Sequence, residues 1–161
     1  MTSSANRWLY PFLLAVQTIG VIIFYWQGIP WYRQISANSS EYSPELEGQL
    51  WALLAIVLIQ VGYWTCYRLR PRLPHLANAV LGHVVLFWAR LSFTLPTAVF
   101  SLVFLAKMLH LQMSIYGHIV TVIGLFSIFC YMLETQRLGN AILERHKSLL
   151  AANENSTATD L

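Results

Sequence analysis

NAVLGHVVLFWARLSFTLPTAVFSLVFLA, residues 78–106, decides the fold class of this chain. Within it, Arg90 is the only residue with a formal charge. Crossing a bilayer takes about 20 mainly apolar residues, because about 30 Å of hydrocarbon is covered at about 1.5 Å per residue. This run is long enough with residues to spare. In lipid a backbone must satisfy its own polar groups, so the run predicts a helix.

Three more runs of this kind flank it. One covers about 8–29 and stops at Pro30. Another covers about 48–67 and is followed by Arg68, Arg70, Pro71 and Arg72. The last covers about 110–133, starting near Leu109 or Ser114, and Glu134 closes it. The turn between the third and fourth runs is weakly marked, because Lys107–Ser114 holds neither Gly nor Pro. The first run has a basic start at Arg7, but it exceeds the 7–15 apolar residues of a signal-peptide core, so a retained helix is expected. The expected fold is an all-α integral membrane protein. It is a four-transmembrane-helix bundle with an inner-side C-terminal amphipathic helix.

Composition agrees. Of 161 residues, 57% are hydrophobic and 11% charged, against about 25% charged in soluble domains. Too few charges remain to clothe a water-facing surface. The net charge of +3 is spread between and beyond the apolar runs, so no nucleic-acid face is expected. The two cysteines, Cys66 and Cys130, are too few for a disulfide framework and read as buried or lipid-facing thiols.

Orientation follows from the loops. Arg7, then Arg68, Arg70 and Arg72, then Arg137, Arg145 and Lys147 share one side if there are four spans, and Glu41, Glu45 and Glu47 fall on the other. Lysine and arginine favour the cytoplasm, so both termini are expected there. Lys107, in the short outer turn, is the opposing charge. Trp8, Tyr10, Trp26, Trp31, Trp51 and Trp64 sit where headgroups favour aromatic rings. Asn38-Ser39-Ser40 is a glycosylation acceptor only in a eukaryotic lumen; a bacterial inner membrane is the expected location. Beyond the fourth run, Leu138, Ile142 and Leu149 share one helical face with Arg137, Arg145 and Lys147 around it. That pattern predicts a surface helix over about 134–152 contacting anionic lipids or a docked partner. Residues 1–152 form the membrane domain, and the polar stretch 153–161 is expected to be a disordered tail.

Arg90 is the sharpest anomaly. A central arginine costs about 2.5–3.5 kcal/mol to insert and needs a partner. Three readings stand: it marks the inner edge of a span that begins later, it is satisfied inside the bundle, or it meets an acidic group from outside the chain. Internal acceptors are Gln17, Gln60, Ser92, Thr94 and the Ser92 carbonyl, which Pro96 leaves without its helical N–H donor. No Asp or Glu falls within the four runs as drawn. His83 and His118 are ligand-binding candidates near opposite ends of their spans, too far apart in depth to share a haem. Small residues at spacings of three and four mark helix-contact faces: Gly117, Thr121 and Gly124 in the fourth run, Gly48, Ala52 and Ala55 in the second.

Several functional classes lose support. Four-helix thiol oxidoreductases use outer-face cysteine pairs, and small multidrug transporters use a carboxylate inside a span; neither is legible here. No catalytic residue, metal site or cofactor is assigned. The expected role is a non-enzymatic accessory or structural subunit of a larger membrane complex. It would be held through helix packing by other membrane subunits or copies of itself, with membrane lipids around it. The alternative is a small homo-oligomeric channel or transporter. A third reading is a lipid- or quinone-modifying enzyme completed by a second subunit.

Overall fold

The apolar runs become four helices, because a backbone surrounded by apolar side chains has only its own carbonyls to pair with. The computed structural model describes residues 5–36, 46–69, 73, 76–107 and 115–159. Its elements are α1 (Ala5–Ser36), α2 (Leu46–Leu69), α3 (Ala79–Lys107) and α4 (Ile115–Thr159). No strand occurs among the described residues. All four helices are long and apolar enough to cross a membrane. The Asn38-Ser39-Ser40 acceptor lies outside the described residues.

The helix ends refine the reading. Asn78 caps α3: its side-chain oxygen accepts the Leu81 N–H at 3.2 Å and its carbonyl accepts the Gly82 N–H at 3.0 Å. Pro30 ends the apolar span of α1 but not the helix, which continues to Ser36. One missing N–H deletes one bond, and a helix can absorb that.

Larger corrections concern α4. The sequence predicts a fourth span closed by Glu134, a separate surface helix over 134–152 and a disordered stretch 153–161, of which 160–161 lie outside the described residues. Instead α4 is one helix of 45 residues that passes through Glu134 and ends at Thr159. Its apolar window runs from Ile119 to Asn153. Nothing at Glu134 breaks the helix, since neither Gly nor Pro stands beside it. Glu134 and the following turn are also packed against other helices.

The α1–α2 and α3–α4 pairs run antiparallel. Gln17 meets Cys66 while Gly20 meets Ala55 and Ile59, so α1 and α2 count in opposite directions. Gly82 faces Gly139 while Phe93 faces Phe129, with ring centres 5.3 Å apart, so α3 and α4 do the same. The α1–α2 and α3–α4 pairs are the extensive contacts. α2–α4 joins the pairs, and α4 touches α1 more lightly. Close approach of α3 and α4 depends on two glycines back to back. A Cβ on Gly82 would sit 2.7 Å from Leu143, and one on Gly139 would sit 2.8 Å from Leu86.

Two small apolar clusters form the core: Tyr10, Leu13, Cys66, Leu138 and Ile142 in one, and Val21, Ile59 and Tyr131 in the other. Leu138 and Ile142 are therefore packing residues of the bundle, not the face of a separate surface helix. Outward-facing positions are also apolar, Phe12, Val57, Phe87 and Phe126 among them. An apolar exterior this extensive is rare on a soluble monomer and is what a lipid-facing surface requires.

Candidate functional site

Polar side chains gather inside the bundle, each placed by its helix phase. Gln17 on α1 is fully buried, and its Nε2 donates to the Cys66 thiol at 3.8 Å. On α2, Gln60 donates to Ser127 Oγ at 3.0 Å and to Cys130 Sγ at 4.0 Å, while its Oε1 accepts from Trp64 Nε1 at 3.0 Å. The Tyr131 hydroxyl joins three helices. It accepts from Trp88 Nε1 at 3.3 Å and shares a 3.2 Å hydrogen bond with Thr18. Such bonds hold apolar helices together where water exclusion gives little drive, at about 0.6 kcal/mol each on average. Both cysteines are buried and unpaired with each other.

These contacts bear on the internal acceptors proposed for Arg90. Gln17 and Gln60 turn to the cysteines and Ser127. The Ser92 hydroxyl donates to the Ala89 carbonyl at 2.8 Å, and the Thr94 hydroxyl donates to the Arg90 carbonyl at 2.8 Å. The Ser92 carbonyl, orphaned by Pro96, accepts the Tyr25 hydroxyl from α1. It is spoken for, and it ties α1 to α3.

A direct prediction arises here. Tyr25→Phe leaves that carbonyl without a donor in apolar surroundings and should cost about 1–3 kcal/mol. Adding Pro96→Ala restores an N–H four residues on and should recover most of the loss. Denaturation of the single and double variants in detergent measures it; equal losses in both would mean the carbonyl was never the issue.

Arg90 itself is exposed on α3, and among the described residues its guanidinium has no hydrogen-bond or ion-pair partner. It lies about 16 Å along the helix from Ala79. That is the level of Trp88, Tyr131 and Thr18, well inside the bundle's length. His83, Phe87 and Thr94 are exposed too, and spacings of four, three and four set all four residues on one face.

Glu134 is the residue that sequence reasoning missed. It is only 4% exposed. Arg137, one turn on, lies 3.7 Å from its Oε1, with the arginine side chain 44% exposed. Tyr10 approaches from α1, close enough to interact electrostatically but without hydrogen-bond geometry; Tyr63 and Cys66 face it from α2. An open groove of about 290 Å³ lined by Tyr63, Tyr67, Leu133, Glu134 and Arg137 reaches its edge. The signal was present in the sequence: Arg137 at i+3 neutralises Glu134, while Leu138 and Ile142 carry the apolar phase onward.

No protein-family model, curated protein or solved structure matches the chain.

The remaining candidates divide. Gly124 is covered by the Phe24 ring of α1, and Ala55 is fully buried against Gly20. Those two small residues thus serve packing within the chain. Ala52 and Thr121 are half-buried, and Thr121 has a partner of its own. Gly48 makes only an ordinary contact, 3.6 Å from Gln27. Gly117 and His118 belong to α4, but their surroundings lie outside the described residues. No group of three or more His, Cys, Asp or Glu among the described residues could hold a metal.

Proposed function

We propose that this chain is a non-enzymatic accessory or structural subunit of a larger membrane complex. Arg90 carries the proposal. An exposed guanidinium with no partner among the described residues, on a helix apolar enough to span, costs about 2.5–3.5 kcal/mol against lipid. A complex in which another component meets it removes that cost. Gln60, Ser127, Tyr131, Thr18 and Trp88 hydrogen-bond to one another across the helices, which suits a scaffold. The arrangement of Arg7, Arg68 and Arg137 at one end, with Glu47 at the other, supports termini on the cytoplasmic side. A bacterial inner membrane is the host we propose.

The test is the particle extracted from native membranes in mild detergent. Its mass should exceed that of one chain plus detergent, and other polypeptides should be present. Arg90→Leu should still insert yet release those polypeptides. Unchanged co-purification would remove Arg90 from the contact, and a particle of this chain alone would refute the subunit role.

One observation favours the second reading, a homo-oligomeric channel or transporter. A buried ionisable side chain in a membrane bundle is a candidate for an ion path, and Glu134 is buried at the level of Tyr10 and Cys66. Flux across liposomes holding only this chain, lost in Glu134→Gln, would support it.

A further inference from the structure

We infer that the outward face of α3 docks a transmembrane helix of a different chain, and that this helix presents an Asp or Glu carboxylate at the depth of Arg90. The inference rests on the subunit reading and names what that reading leaves open, the chemistry of the partner.

The face has a definite composition. His83, Phe87, Arg90 and Thr94 are exposed in one stripe, about three turns of polar and aromatic groups on a helix whose other exposed large side chains are Val, Leu and Trp88. α3 leans on α4 through Gly82 and Phe93, and on α1 through the Tyr25–Ser92 hydrogen bond. The stripe points away from both. A guanidinium offers five N–H donors in a planar fork, which a carboxylate fits in bidentate fashion. Away from water, such a pair is the most economical way to satisfy the arginine.

Two other occupants fit less well. In a second copy joined by a twofold axis along the helices, α3 would face α3 and Arg90 would face Arg90, setting like charges together. Nor, among the described residues, does a copy supply the missing acid. Glu134 is buried and paired with Arg137. The exposed Glu47 and Glu144 stand towards opposite ends of the bundle, neither at the level of Arg90. A lipid phosphate would have to be reached from the end where α3 begins. Arginine snorkels in that direction, but Thr94 extends the polar stripe a further turn the opposite way, where no headgroup of that leaflet lies. A helix running alongside covers the whole stripe.

The test uses the full chain, labelled at its N-terminus with a fluorescent donor, in phosphatidylcholine vesicles. The probes are synthetic transmembrane peptides of leucine and alanine carrying an acceptor dye, one with a single central Glu and one with Gln there. Energy transfer should show the Glu peptide binding at least about tenfold more tightly than the Gln peptide, equivalent to about 1.4 kcal/mol. Arg90→Gln should abolish the preference while leaving insertion unchanged, and Arg90→Lys should keep part of it. Equal binding of the two peptides would overturn the inference, as would a preference that survives Arg90→Gln. Loss of the preference on adding phosphatidylglycerol would overturn it too, by assigning the site to lipid phosphate. The two readings fail separately. Equal peptide binding beside a native particle rich in other polypeptides sinks only the carboxylate partner. A native particle of this chain alone sinks the subunit role whatever the peptides do.

Discussion

Arg137→Leu is expected to destabilise the bundle by about 3 kcal/mol, although the arginine is itself nearly half exposed. The loss comes from Glu134, not from the arginine. With its neighbour gone, the carboxylate stays where only 4% of the residue is exposed, and no other cation among the described residues contacts it. Removing one member of a buried pair leaves an uncompensated charge, and that is the expensive case. The remedy follows from the same physics. Glu134→Gln in the Arg137→Leu background removes the orphaned charge and should return most of the stability. Glu134→Gln alone should be mild, because Arg137 can rehydrate. Unfolding by a denaturing detergent, followed by helix signal, would order the variants: wild type and Glu134→Gln close together, the double variant below them, Arg137→Leu last. Wild-type stability in Arg137→Leu would show that the carboxylate has another source of support.

The second large effect comes from the smallest possible change. Gly20→Ala adds one carbon, and that carbon would lie 2.8 Å from Ile59 and 2.9 Å from the Ala55 carbonyl oxygen. A side-chain tip can rotate aside, but the Ala55 carbonyl belongs to the backbone of α2 and cannot yield without moving the helix. We expect a loss of about 2–3 kcal/mol, towards the upper end for overpacking. Gly28→Ala is the control. Nothing lies within 4 Å of a Cβ there, and alanine in a helix interior should gain about 0.5 kcal/mol over glycine. The same substitution on one helix should therefore change sign between two positions separated by a little over two turns. Equal effects at both would mean that propensity, not close approach of α1 to α2, governs these glycines.

Much of this architecture could be read from the chain, and the reasons for the misses are physical. Run length and polarity mark all four long apolar helices, because the requirement to cross hydrocarbon sets a length. Pro96 pointed to an orphan carbonyl at Ser92, because a missing N–H can be counted without a structure. Its partner, Tyr25, could not be read. Faces were illegible for the same reason throughout: in an apolar helix, lipid and core ask for the same residue types. Phe87 and Leu138 look alike in sequence, yet one faces out and the other is buried. Gly20 and Gly48 look alike too, yet only the first sits against a neighbouring backbone. The continuation of the helix past Glu134 is less legible, because a charge closing an apolar run reads as a stop. One turn later Arg137 compensates it, and Tyr10 closes over it from a helix more than a hundred residues away in the chain.

The central place of α4 sets an order of events during synthesis. A chain emerges N-terminus first. α1 and α2 can close on each other as soon as both exist, with Gly20 against Ala55 and Gln17 against Cys66. α3 cannot do likewise. Its main contact is α4, made last, and until then the Tyr25–Ser92 hydrogen bond is its chief link to what has already assembled. For that interval the third helix is a nascent segment with an arginine at mid-length and both faces open, and any chaperone or insertase acting on this protein meets it in that state.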